Sequence, residues 1–397
     1  MTEFFVIIFY VLNTLIIGMY MFTTKKYTGE LVNFDMTISD FELLGLLLIT
    51  ILFYFLIYII YIATKNMKGL LLNIHFSIHT KKLDVFYLLL LIFQIIFFIL
   101  TGVGRIGGSA TSGISFVFSF LKVEPIFGLY YFLRREESKK IFWVNILLFS
   151  LLRLLKGWTG FILTIALYEL YFHFKRNGNN RLTLINAIKT YTLPIILILS
   201  GSKIYQYMYT VKFKIRLNQI INLDYIDGMV NLINRLTFFP ISVGAYSNFK
   251  LIKSLYISDS IIFKEIQGFF RPIAPRFIMP IKEFRSLNNN VLQSFWDTIT
   301  PTTSSSMGLP VYALTLMRIN FLEFIIWLIM TLLFINVIKR LFNSLEQYSG
   351  QLNYLYFWLL FDTFYSASLE TSFSYGVLPI FYILPVLVVF KVIRIER

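Results

Sequence analysis

The chain has no cysteine, only three histidines and only 14% charged residues, and each scarcity removes a class of chemistry. Without thiols there is no disulfide framework, no thiolate nucleophile and no cysteine-ligated metal. The histidines, His75, His79 and His173, fall beside basic loops that alternate to one side of the chain. That placement argues against an imidazole base or a histidine metal site on the other side. No glycine-rich phosphate loop is present, which excludes the usual direct route to ATP, and neither an internal repeat nor a low-complexity segment is found. A soluble domain carries about a quarter charged residues. Here 57% of residues are hydrophobic, 18% are aromatic and the mean hydropathy is +0.72, the composition of an integral membrane protein.

What is there is a series of apolar runs, each long enough to cross the roughly 30 Å of bilayer hydrocarbon as a helix. Ten spans fit: 4–22, 43–63, 85–101, 114–133, 141–152, 158–174 and 184–201, then 321–338, 354–367 and 378–390. The N-terminal run lacks a basic leader and a small-residue cleavage site, so it reads as a retained first span. Sixteen Lys and Arg lie in the short loops and tail of one side and five in the short loops of the other, the positive-inside bias. The net charge of +15 is therefore largely topological and does not point to nucleic acid. The expected fold is an all-α polytopic membrane protein of about ten transmembrane helices. One long, partly helical extracytoplasmic loop lies between the seventh and eighth, dividing the chain into 1–201, 202–318 and 319–397. Both termini are expected to be cytoplasmic.

Two spans fit badly. The fourth carries Lys122, Glu124 and Pro125 at its middle; ionisable groups at bilayer depth are costly and face a cavity or one another, so it reads as a polar site or a broken helix. The fifth is short, and Arg153 and Lys156 at its tip share one face; they snorkel to lipid phosphates, or Arg153 sits below the surface and points into the bundle. Between the third and fourth spans, four glycines surround Arg105, either as a flexible turn or as backbone amides gathered around an anion.

The interval 202–318 holds thirteen Lys and Arg against six Asp and Glu. Residues 226–236 show helical spacing of apolar positions with Arg235 on the opposite face, an amphipathic helix. Arg271, Arg276, Lys282 and Arg285 are separated by Pro272, Pro275 and Pro280, so these cations sit on stiff extended backbone. A rigid display of guanidinium forks suits a phosphate or diphosphate, and preorganised cations stabilise such a group as it leaves. Adhesion to anionic membrane lipids is the other use of the same charge.

In this layout, and in the succession Pro275-Arg276, Lys282, then Thr302 to Ser306 leading through Gly308 and Tyr312, the chain resembles the O-antigen polymerases and related oligosaccharide repeat-unit polymerases of bacterial envelopes. Arg235 in the loop and Arg153 at a span tip also match that pattern. Some members carry glycine eleven positions after each of two loop arginines; here those positions hold Tyr246 and Leu287. The outer-loop histidine of the related ligases is missing too.

The resemblance implies transfer of a glycan from undecaprenyl diphosphate to a lipid-linked repeat unit at the outer face of the inner membrane. It implies no cofactor or metal, and a chain-length regulator as a partner. Arg276, Arg235, Lys282 and Glu283 are the catalytic candidates it brings forward. Arg271, Arg285, Arg153, Arg105, Lys122, Glu124, Thr303 and Ser304 are the substrate-binding candidates, and Glu265 and Asp227 are further carboxylates for the acceptor hydroxyl. A flippase of lipid-linked oligosaccharide and a ligase-type transferase are the alternatives.

Overall fold

The computed structural model describes residues 2–31, 34–66, 75–104, 123–137, 139–158, 160–176, 203, 206–207, 210, 224–225, 237–258, 263–270, 286–296, 306–343, 349–366 and 387–396. The first half contains α1 (Thr2–Thr24), α2 (Asp40–Thr64), β1 (His75–Ile78), α3 (Thr80–Thr101), α4 (Glu124–Arg134), α5 (Lys140–Leu155) and α6 (Phe161–Arg176). The second half contains α7 (Phe239–Ser247), α8 (Phe249–Ser258), α9 (Lys264–Phe270), α10 (Leu287–Gln293), α11 (Leu309–Ile319), α12 (Phe321–Asn343), α13 (Ser349–Ser366) and β2 (Ile393–Glu396).

Among the described residues four helices, α1, α2, α3 and α12, are long and apolar enough to cross a bilayer, and the protein is a helical membrane protein. Their boundaries follow from local chemistry. At the start of α2, Ser39 and Glu42 close a reciprocal capping box that satisfies two of the orphan amides of the first turn. At the end of α3, Gly102 adopts φ 66°, the left-handed turn that stops a helix most cheaply at glycine. The helices α5, α6 and α13 fall on the expected spans 141–152, 158–174 and 354–367. Residues 114–122, 184–201, 226–236 and 378–386 lie outside the described residues.

At one end of the bundle the ends of α2, α4 and α6 meet the start of α13. Tyr356 Oη and Thr64 Oγ1 lie 2.9 Å apart, Tyr171 donates to the Gly350 carbonyl at 3.0 Å, and Gln351 donates to Glu136 at 2.6 Å. Arg134, Arg135 and Lys175 sit here, so this is the basic end. β1 and β2 pair antiparallel, His75 opposite Glu396, tying the segment before α3 to the tail. Gly18 of α1 allows close approach of α2, since a Cβ there would meet Leu47 Cδ1 at 2.8 Å.

Three helices start inside the bundle rather than at its end, and each has proline in its first turn: Pro125 in α4, Pro240 in α7 and Pro310 in α11. Proline lacks the amide that a first turn leaves unused, and it disfavours helix in the residue before it. It therefore fixes a helix start even in apolar surroundings. The depth of α7 follows from its neighbours. Thr237 Oγ1 lies 3.1 Å from Thr14 Oγ1, at the middle of α1, about 15 Å from that helix's distal end at 1.5 Å rise per residue. From there α7 climbs until Ser247 meets the Tyr27 hydroxyl at 3.1 Å.

The Ser242 hydroxyl on α7 donates to the Met307 carbonyl at 2.5 Å, so α11 begins beside α7 and climbs with it. Residues 237–247 and 307–319, within the interval expected to form an outer loop, thus pack beside the membrane-crossing helices.

Candidate functional site

In the distal half of the bundle, among the described residues, Glu124, Arg153 and Lys156 form an ionic cluster in apolar surroundings. Glu124 is the first residue of α4. Arg153 lies in the last turn of α5, and Lys156 immediately follows that helix. Arg153 Nη1 donates to Glu124 Oε1 at 3.1 Å, and Lys156 Nζ donates to the same oxygen at 3.0 Å. Lys156 also reaches Gln94 Oε1 on α3 at 3.5 Å. The three charged side chains are 16% (Arg153), 13% (Glu124) and 5% (Lys156) exposed. The Trp158 ring covers the guanidinium at 5.3 Å.

Two cations converge on one carboxylate oxygen, while Glu124 Oε2 and Arg153 Nε are buried with no hydrogen-bond partner among the described residues. Gln94 lies about 10 Å short of the distal end of α3, counting 1.5 Å per residue. The cluster is therefore recessed below that end. The uncapped N-terminus of α4 adds its partial positive charge, so the site favours an anion that offers more than one oxygen.

The matching cluster at the basic end is closed. Arg134 Nε and Nη2 fork onto Asp84 at 2.9 and 2.7 Å, and Nη1 reaches Glu137 at 2.5 Å. Tyr130 donates to Asp84 Oδ1 at 3.0 Å, and Asn145 donates to the Tyr130 hydroxyl at 2.8 Å. Arg135 pairs with Glu169, its Nη2 at 2.8 Å from Oε2. Each arginine has its own carboxylate.

A third group lies in the interval expected outside. Glu265 on α9 accepts from the Leu287 amide at 2.6 Å and from the Tyr312 hydroxyl at 2.7 Å. Glu323 of α12 accepts from the Glu265 amide at 2.8 Å and from Tyr256 at 3.1 Å. Burial, reinforced by Glu265 and then Glu323, raises the Tyr256 phenol above its usual range, which keeps it a donor. These contacts pin α8, α9, α10 and α11 to the start of α12, so Glu265 acts as a strut here.

Of the residues expected to form the site, the structure brings Glu124 and Arg153 together and joins Lys156 to them. Arg235, Arg276, Lys282, Glu283, Arg271, Arg285, Arg105, Lys122, Thr303, Ser304 and Asp227 lie outside the described residues. Just beyond the Thr/Ser-rich stretch, Ser306 donates to the Ser366 carbonyl at 2.6 Å. Trp296 packs edge-on against Phe34, with ring centroids 4.8 Å apart.

The sequence reading passes over Gln94, although a lone amide in an otherwise apolar run is a visible signal. Among the described residues no group of three or more metal-ligating side chains is gathered.

Comparison with known proteins adds no neighbour: no family model, no curated protein and no solved structure matches this chain. What it does is therefore argued from its own geometry.

Proposed function

We propose that the protein polymerises oligosaccharide repeat units carried on undecaprenyl diphosphate, at the outer face of the bacterial inner membrane. In this reading the basic end is cytoplasmic and the distal end periplasmic. The growing glycan is transferred to a sugar hydroxyl of a newly delivered lipid-linked unit, and the lipid diphosphate leaves.

The observation that carries the proposal is the cluster of Arg153 and Lys156 on the single carboxylate of Glu124. Buried charge is stable only when paired and hydrogen-bonded. A second cation on an already paired carboxylate, in a recess of the distal half, is suited to an anion that arrives from the bilayer. A diphosphate offers two arms, one for the Arg153 fork and one for Lys156, and Glu124 holds the two cations in register until it comes. Arg276, Arg235 and Lys282, with Arg271, Arg285, Arg105 and Lys122 after them, are the further cations that the sequence resemblance assigns to the same substrate. Thr303 and Ser304 supply hydroxyls, and a chain-length regulator is the expected protein partner. Stabilising the departing diphosphate in this way is worth several kcal/mol of barrier, on the order of one preorganised electrostatic contact per 10²-fold in rate.

The test is reconstitution with lipid-diphosphate-linked repeat units. Glycan ladders from the wild type are expected, with loss in Arg276→Ala and Arg235→Ala. No ladder, under conditions where a known polymerase makes one, refutes the reading.

One observation favours a second reading. Helices that begin inside the bundle, as α7 and α11 do, are typical of transporters, whose discontinuous helices aim their N-termini at a central site. A flippase of lipid-linked oligosaccharide would move labelled substrate between leaflets without extending it.

A further inference from the structure

The helix α13 differs from every long helix around it. Along α2 the residues Phe41, Leu44, Leu48, Leu52, Leu56 and Ile59 are exposed, the apolar face expected toward lipid. On α13, from Gln351 to Ser366, no large apolar side chain is exposed, and the single exposed residue is Asp362. A carboxylate exposed to lipid is strongly disfavoured, so the exposure of Asp362 on an otherwise enclosed helix fits a polar space within the bundle.

The surroundings agree. Asp362 lies within electrostatic reach of Tyr10 on α1, Tyr168 on α6 and Tyr365 on its own helix, of which Tyr10 and Tyr168 are each 4% exposed. It has no hydrogen-bond or ion-pair partner among the described residues. One turn on, the Tyr365 and Ser366 hydroxyls are buried and also have no partner there. The Tyr365 ring lies 4.4 Å from that of Phe238, at the small pocket where Ser242 and Gly308 meet.

The height of Asp362 is fixed by Gly128, where a Cβ would touch Leu355 at 2.8 Å and the Tyr168 hydroxyl at 3.0 Å. The helices α4 and α13 run in opposite directions, so Glu124 and Asp362 both lie above that contact. Their levels differ by about 5 Å at 1.5 Å per residue. Asp362 therefore lies about one helical turn further toward the distal end than Glu124, on a different helix.

Resting on the glycosyl-transfer reading above, we infer that Asp362, with the Tyr365 and Ser366 hydroxyls, forms the site for the acceptor sugar hydroxyl and that Asp362 takes its proton. A carboxylate beside free hydroxyls and aromatic faces is the chemistry that recognises a sugar. In the step, the acceptor oxygen forms a bond to the anomeric carbon while its proton passes to Asp362. The bond from that carbon to the diphosphate oxygen breaks, and its electron pair leaves with the diphosphate, whose charge Arg153 and Lys156 receive. No oxidant, metal or nucleotide enters the balance.

The test uses the full chain in proteoliposomes and exploits its lack of cysteine. Asp362→Cys supplies a single thiol, which a charged maleimide is expected to modify, whereas Leu360→Cys, at a position 1% exposed, stays unmodified. In ladder formation, Asp362→Asn is expected to fall about 10²- to 10⁴-fold, the usual worth of a positioned general base. It should still retain the lipid-linked substrate on washing and elute as the wild type does, and Asp362→Glu should recover part of the rate.

An unmodified Asp362→Cys overturns the polar space. Wild-type ladders matched by Asp362→Asn overturn the base role while leaving the polymerase reading intact. A wild type that forms no ladder while Asp362→Cys is modified refutes the polymerase reading, and the base role with it.

Discussion

Two ionic clusters among the described residues, one at the basic end and one in the distal half, differ in how their charges are matched. At the basic end Arg134 forks onto Asp84, Tyr130 and Asn145 extend the network, and Arg135 has Glu169; the atom of this network without a partner among the described residues is the Asn145 amide oxygen, not a charged group. At the distal end Arg153 and Lys156 share Glu124 Oε1, and Oε2 has no partner among the described residues. A matched cluster holds helices together and gains nothing from a ligand. At the distal cluster Arg153 Nε is a donor without a partner among the described residues, and an anion would satisfy it.

The largest structural effect is expected at the matched cluster. Asp84→Ala leaves the Arg134 guanidinium, 1% exposed, with only the half-exposed Glu137, and should destabilise the protein by about 3 kcal/mol, the lower end of the cost of removing one partner of a buried pair. Thermal unfolding in detergent checks this. Next comes Arg153→Ala, where the effect moves to activity. Lys156 still satisfies Glu124, so the midpoint should shift little while ladder formation falls about 10²-fold or more.

Glu124→Gln separates the clusters further. Freed of their internal anion, Arg153 and Lys156 should bind inorganic pyrophosphate several-fold more tightly by calorimetry, whereas Glu169→Gln at the matched end should leave that affinity unchanged. The smallest effect belongs to the exposed Lys25–Asp40 pair, about half exposed on each side. Lys25→Ala should shift stability by no more than about 0.5 kcal/mol, the scale of surface ion pairs.

Which parts of this are legible in the sequence follows from how each is encoded. The long helices α1, α2, α3 and α12 announce themselves as unbroken apolar runs, and Ser39-x-x-Glu42 marks the start of α2 as a capping box should. The poor fit of span 114–133 is equally visible, and Glu124 with Pro125 marks the point where α4 starts.

The helices α7 and α11, of 9 and 11 residues, are too short to register as spans, so hydropathy assigns them to an outer loop. Their prolines read as turn formers, yet each fixes a helix start within the bundle. The Asp84–Arg134 pair is invisible because Arg134 looks like a surface charge of a basic loop, and nothing local says that its partner lies 50 positions earlier. Asp362 is visible as a lone carboxylate in an apolar run, but only packing shows that α13 is enclosed and that this side chain alone is open.

The proposal stands or falls on whether the distal cluster of Arg153, Lys156 and Glu124 serves the substrate diphosphate. Its most direct test is the ladder-forming rate of Arg153→Ala, per folded molecule, in proteoliposomes supplied with lipid-diphosphate-linked repeat units. The account predicts a fall of about 10²-fold or more with unfolding nearly unchanged; an Arg153→Ala protein that elongates as fast as the wild type would contradict it.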